Sequence, residues 1–307
     1  MKSLTSLTQV LTATLIVALF TFVSCKKESS SLGTPAEQEE FAAATAESDA
    51  EAEVVFDDVF DNVVGVDTEV GIGGTGVFGG ANNNTGMGQE IISGANGVDS
   101  NRCFTVTYTQ LNAPARFPLK VVLDFGTGCT GRDGRTRKGK IITIYSGPLF
   151  VPGNSTVTTF DGYYVNDIHV EGTHKTTNVS TQDKKAFRVV VLGAKLSKPN
   201  GNYSQWNSEK TIAQVEGLGT PLFPLDDVFK VDGGANGAVK KGDKFFQWST
   251  NITEPLVKKF TCRWIVKGIV VMRKSNAPVA ELNYGDGACD NKATMTVNGV
   301  VREITLR

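Results

Sequence analysis

From residue 104 onward, apolar and polar positions alternate in short runs divided by turn residues, which predicts strands. Such runs are Phe104–Tyr108, Leu119–Phe125, Lys140–Tyr145, Phe187–Leu192, Thr211–Val215, Phe245–Thr250, Val279–Tyr284, Ala293–Val297 and Val300–Leu306. Tyr164, Ile168 and Val170 fall on one side of a predicted strand, with Asp167, His169 and Glu171 on the other. That alternation predicts one packed and one wet face. Trp264, Val266, Val270 and Met272 form another run with core alternation. Turns are predicted at Asn200–Gly201, Asp232–Gly233, Asn236–Gly237 and Asn298–Gly299, and a loop over Asn112–Pro118. Before the strands the period changes. Val55, Phe56, Val59, Phe60, Val63 and Val64 recur at helical spacing with Asp57, Asp58, Asp61 and Asn62 opposite. This predicts one amphipathic helix, capped by Asp49 and ended by Gly65, packing its apolar stripe on a sheet.

The run Leu282–Cys289 (Leu-Asn-Tyr-Gly-Asp-Gly-Ala-Cys) echoes Leu123–Cys129 (Leu-Asp-Phe-Gly-Thr-Gly-Cys). Each has a cysteine upstream, Cys103 and Cys262, at separations of 26 and 27 residues. Both intervals also contain Asn-Ala-Pro, at Asn112–Pro114 and Asn276–Pro278. The pattern predicts a duplicated hairpin unit closed by a disulfide. Four cysteines allow three pairings, and the repeat favours Cys103–Cys129 with Cys262–Cys289. The fold class is therefore mainly all-β, a large antiparallel sandwich or curved sheet with one N-terminal helix.

The N-terminus changes the picture of where this domain resides. Met1-Lys2 is followed by an apolar run ending at Phe22-Val23-Ser24-Cys25, the layout of a secretory signal. It resembles the bacterial lipobox, in which the chain is cut before a cysteine that is then lipid-modified. That resemblance assigns residues 1–24 to a signal peptide and Cys25 to lipidation. Lys26 is not the aspartate of inner-membrane retention, so the expected location is the outer membrane, on either face. Residues 25–48 are Ser-, Glu- and Ala-rich and read as a flexible tether. Residues 49–100 read as the helix and a Gly/Asn-rich loop, and 101–307 as the β domain. In an exported protein the four remaining cysteines are expected to be paired.

Composition excludes little. Lys+Arg (31) and Asp+Glu (32) leave a net charge of −1, so no global charge steers the chain to nucleic acid. Only two histidines are present, and His169 and His174 are five apart, on opposite sides of one strand. No metal site or cofactor is expected. The run Gly74-Thr-Gly-Val-Phe-Gly79 matches G-x-G-x-x-G, but Asn82–Asn84 follow in place of a helix, so it reads as loop. Asp226-Asp227 and Asp286 with Asp290 are candidate carboxylate pairs for a hydrolase, although Asp in such runs is commonly turn chemistry. Arg135 and Arg137, in the basic run Arg132–Lys140, are candidate ligand-binding residues. Tyr163, Trp206, Trp248 and Trp264 are candidates for a sugar-stacking platform, with Trp206 and Tyr163 favoured.

The segments Gly134–Ile141, Thr159–Ile168, Cys262–Gly268 and Tyr284–Lys292 resemble a family of Bacteroidota outer-membrane lipoproteins. The resemblance implies an exported, lipid-anchored protein and brings no activity with it. Three functions follow in order of preference. The first is a non-catalytic envelope or cell-surface binding module for a glycan or protein, and the second an outer-membrane assembly protein. The third is a carboxylate-dependent hydrolase. An exposed apolar patch with an open sheet edge favours the second.

Overall fold

A computed structural model describes residues 33–65, 104–131, 134–220 and 224–306. The signal segment, Cys25, Cys103 and the Gly/Asn-rich stretch from Gly71 to Gly97 lie outside the described residues. The chain begins with α1 (Pro35–Val64) and continues as β1 (Thr105–Asn112), β2 (Ala115–Asp124), β3 (Cys129–Thr130), β4 (Thr136–Tyr145), β5 (Ser155–Val165), β6 (Ile168–Asn178) and β7 (Ala186–Ser197). Next come β8 (Tyr203–Glu216), β9 (Val228–Lys241), β10 (Lys244–Lys259), β11 (Lys267–Lys274), β12 (Ala277–Asp286), β13 (Lys292–Val297) and β14 (Val300–Thr305). All the strands belong to one antiparallel sheet in simple chain order, with the two-residue β3 set against β4. The fold is mainly β with one helix, as expected, and of the two arrangements expected, sandwich or curved sheet, it takes the single sheet. β1 and β14 do not pair, so the sheet is not closed.

The second layer is α1. It begins 14 residues earlier than the apolar stripe predicts, which corrects the tether over 35–48. Thr34 and Glu37 form a capping box: Glu37 N donates to Thr34 Oγ1 at 3.3 Å and Thr34 N donates to the Glu37 carboxylate at 2.7 Å. Pro35 stands in the first turn, where its missing N–H costs nothing. Gly65, in the left-handed region at φ 88°, ends the helix as predicted. Asp49 is not a cap but lies mid-helix and buried.

Burial around α1 is not confined to one stripe. Phe41, Phe56, Phe60, Ala46, Asp49 and Glu53 are all buried, on different sides of the helix. Phe56 alone meets Phe160 of β5, His174 of β6 and Trp206 of β8, at centroid distances of 6.1, 6.4 and 5.6 Å. Phe60 packs on Phe187 of β7 and Phe41 on Phe246 of β10. Tyr145 of β4 donates its hydroxyl to Val63 O at 3.0 Å, and Arg302 of β14 reaches Glu39. Side chains from strands across most of the sheet thus converge on one helix, and the sheet's inner face is its core. Each large apolar side chain buried there stabilises the fold by roughly 1.5–3 kcal/mol. The outer face carries exposed Lys175, Arg188, Glu209 and Lys230, the opposite of a lipid-facing barrel wall.

Both hairpins of the expected repeat are present, with different turns. Cys262 and Cys289 form a disulfide around the β11–β12 hairpin. Cys129 is also disulfide-bonded. The two Asn-Ala-Pro runs are not equivalent: the first hairpin turns at Ala113-Pro114, whereas the second turns at Ser275-Asn276 and places Pro278 in β12. The loop predicted over 112–118 is accordingly a tight turn, and Pro118 lies within β2.

Two other expectations change. The strand predicted from Tyr164 to Glu171 is broken at Asn166-Asp167, whose φ values of 48° and 66° form a two-residue turn. Asp232–Gly233 and Asn236–Gly237 are not turns but the interior of β9. Gly237 is opposite Trp206 on one neighbour and Trp248 on the other. A Cβ there would come within 2.6 Å of the Trp248 ring. Glycine makes room for two inward indoles side by side.

The two rims of the sheet differ. Asn166-Asp167, Gly242-Asp243, Ser275-Asn276 and Asn298-Gly299 are two-residue turns on one rim. Longer connections, 146–154, 179–185, 260–266 and 287–291, occupy the other. The N-terminal part of α1 lies by the short-turn rim, where Lys244 pairs with Glu40, and its end lies by the long-loop rim at Tyr145.

Candidate functional site

The chemistry of this molecule starts with the acids of α1. The helix has ten Asp and Glu residues and no Lys, Arg or His. Asp49, Glu53, Asp57 and Asp61 are spaced four apart, which stacks them on one face. Inward positions of the strands answer them. Trp206 Nε1 donates to Asp49 Oδ1 at 2.8 Å. Lys210 pairs with Glu53. Lys258 lies 3.5 Å from Asp57 and 3.1 Å from Asp61. On an adjoining face Asp58 receives Arg135 and Arg137, and Glu51 receives Lys198 at 3.1 Å. The acidic face of the predicted helix is therefore not turned to solvent. It is the recognition surface between helix and sheet.

Burial sets the protonation of this ladder. It pushes the Glu53 carboxyl up to about 7, against the pull of Lys210. It raises Asp49 as well, opposed by Lys210 and by the Trp206 N–H. Burial alone would lower the two lysines, but Glu53 and Asp49 hold Lys210, and Asp57 and Asp61 hold Lys258, above the ordinary value. Tyr284, in the repeated motif, is raised by burial first and then by Glu53, Asp49 and Asp57. The aromatic of that motif thus faces the helix acids.

The predicted surface residues are placed by the same logic. Trp206, Tyr163, Arg135 and Arg137 are buried, at 2, 4, 4 and 5 % exposure. Trp206 stacks on Phe56, and Tyr163 packs between Phe125 and Phe160. Trp248 is buried, while Trp264 is half-buried in a loop beneath Arg263. The aromatic platform is therefore corrected: Tyr163 of β5, Trp206 of β8 and Trp248 of β10 are core rings turned inward by strand alternation, and Trp264 lies in the loop before β11. His174 is fully buried against Phe56, and burial lowers its imidazole to about 3. His169, half-buried, stacks on Tyr164. Asp226 accepts from Thr220 and Asp227 from Gln214, and Asp290 caps Lys292 N at 3.0 Å. Asp226 and Asp290 thus do local turn chemistry, whereas Asp227 is buried against β8, where burial raises its carboxyl to about 7. Among the described residues no group of His, Cys, Asp and Glu is arranged to hold a metal ion.

Among the described residues there is a concavity of ligand size. It has a volume of about 420 Å³ and lies where α1 meets the short-turn rim, in the range of small-molecule sites. Glu51, Val54 and Val55 of α1 form its floor, with Arg135 beside them. Val165, Asn166 and Ile168 at the β5–β6 turn form one wall, and Lys198, Pro199 and Asn200 of the β7–β8 turn form the other. Both turns are held firmly. Asn166 N donates to Thr136 O at 2.8 Å and Asn166 Oδ1 accepts from Thr136 N at 3.1 Å. Asn200 Oδ1 accepts from Asn202 N at 3.1 Å, and Lys198 closes the turn on Asn202 O at 2.9 Å. Of the predicted ligand-binding residues, Arg135 alone lines this cleft. The other lining residues were not singled out in the sequence.

On the opposite rim Phe150, Val151, Val179, Leu218 and Leu225 are exposed. They form apolar loop tips without converging polar groups. Comparison with profiles of known families, with characterised proteins and with solved structures returns no match.

Proposed function

We propose that this protein is an exported, lipid-anchored, non-catalytic binding module of the bacterial outer membrane, with its ligand in the cleft between α1 and the short-turn rim. The observation that carries the reading is that cleft: about 420 Å³, built from α1 and two hydrogen-bonded turns, with apolar surface interrupted by a few fixed polar groups. Elsewhere the concave face of the sheet is filled by α1, so a ligand meets the protein at a rim. The anchor is supported by the lipobox-like run ending at Cys25 and by disulfide-bonded cysteines, which suit an oxidising compartment.

A second reading is an assembly protein that docks a partner through the long-loop rim. The exposed Phe150, Val151 and Leu218 favour it, together with the open edges at β1 and β14. Both readings require the anchor. Cys25→Ser is expected to accumulate as an uncleaved precursor without incorporated lipid, read by mass spectrometry and fatty-acid labelling. Normal cleavage and labelling of that variant would remove the anchor from both.

A further inference from the structure

The cleft's own charges and hydrogen bonds name the class of ligand it takes. Its two cations are already answered: Lys198 by Glu51 and Arg135 by Asp58. An anionic ligand would compete with Glu51 for Lys198 and face its carboxylate, and a cationic ligand would face Lys198 and Arg135. A neutral ligand meets neither penalty.

The polar groups that remain point the same way. Asn166 and Asn200 each spend the side-chain oxygen on a backbone N–H, at 3.1 Å in both cases. Their Nδ2 groups are left as donors at the mouth, since both residues are exposed. The Glu51 carboxylate, 12 % exposed, supplies acceptor capacity at the floor. Donors on two walls and an acceptor below suit groups that both accept and donate, which are hydroxyls. Val165, Ile168 and Pro199 stand between them and present apolar surface to C–H groups. We infer that the cleft binds a neutral saccharide of one or two rings, with its hydroxyls on Asn166, Asn200 and Glu51 and its C–H faces on Val165, Ile168 and Pro199. This rests on the binding-module reading above and deepens it.

Asparagine-to-aspartate changes test this cleanly. Asp keeps the Oδ1 acceptor, so it keeps the bond to Thr136 N or Asn202 N, and it tolerates the positive φ of residue 166. It removes only the Nδ2 donor and adds a charge. The full chain in zwitterionic detergent is titrated with neutral mono- and disaccharides, the matching uronic acids and amino sugars, and a library of non-sugar fragments, followed by saturation-transfer NMR. The expected result is saturable binding of at least one neutral sugar, with at least tenfold preference over its charged counterparts. Asn166→Asp with Asn200→Asp is expected to weaken that binding tenfold or more at unchanged thermal midpoint. Preference for a charged sugar or a fragment, abolished by the same variant, overturns the neutral-saccharide assignment and keeps the cleft as a binding site. Sugar binding indifferent to the variant overturns the assignment to this cleft. No binding by any compound overturns this inference and the binding-module reading together, leaving the assembly reading.

Discussion

Lys258→Met is expected to lower the stability of the fold by about 3–5 kcal/mol, the usual cost of removing one member of a buried ion pair. Lys258 is 1 % exposed, and its ammonium serves Asp57 and Asp61 together. Methionine matches the stem in length and apolar character, so packing changes little and the loss is electrostatic. Two carboxylates would then remain in the core without the ammonium that offsets their desolvation. The diagnostic is the partner substitution. Lys258→Met combined with Asp57→Asn and Asp61→Asn removes both sides of the interaction and is expected to recover most of the lost stability in urea melts. A single variant as stable as the parent would mean that α1 does not rely on this cation.

Acidification provides the second large effect, through His174. The ring is fully buried, both nitrogens lack a hydrogen-bond partner, and burial lowers its imidazole from 6.5 to about 3. In the unfolded chain it takes up a proton below its ordinary value; in the folded protein it stays neutral until about 3. The unfolded state therefore binds more protons across that window, and His174 withdraws stability as pH falls through it, by up to roughly 4–5 kcal/mol. Glu53 works in the opposite sense. Its folded value is raised to about 7 from 4.5, so the cost of burying its charge is relieved as pH drops between those values. The parent is expected to show a shallow profile from pH 7 to about 4.5, where the two offset, then a steep loss below it. His174→Leu removes the histidine share, so its urea midpoint is expected to rise as pH falls from 6.5 to 4.5, where the parent's is nearly flat, and to escape most of the parent's loss below that. Parallel profiles for the two proteins would show that His174 is not held neutral in the core.

How far the sequence announced this structure depends on the range of the interaction. Local chemistry was legible. Asn298-Gly299 is the two-residue turn its residue types require, with φ of 51° and 79°. Gly65 ends the helix, and the second cysteine pair closes its hairpin. The helix start was also written locally, as Thr34-Pro35-Ala36-Glu37, but ten acids without a base resemble a solvated tether. What makes that stretch a core helix is the set of cations waiting on β4, β8, β10 and the β7–β8 turn, more than 70 residues away. Lys210 does occupy an inward position of the alternation in β8, between Ser208 and Ile212. A lysine in that place is a signal of a buried partner, visible only once the strand's faces are known.

The indoles were misplaced for the same reason. Trp206 lies in the polar run Asn202–Ser208, which reads as surface, yet its alternation turns it toward α1 and Gly237 gives it room. The cleft was the least legible feature. Its lining comes from α1, from the β5–β6 turn and from the β7–β8 turn, and no one of these carries a motif. Arg135 entered the sequence analysis as part of a basic run. Its place in the cleft follows from the Asn166 turn being bonded to Thr136.

The central claim is that α1 is the core of the open sheet and not a surface or tether element. Hydrogen exchange of the full chain at neutral pH tests it most directly. Peptides covering 41–64 are expected to be protected as strongly as those of β7, β8 and β9, exchanging only with global unfolding. Exchange of those helix amides within seconds, while the strands stay protected, would contradict it.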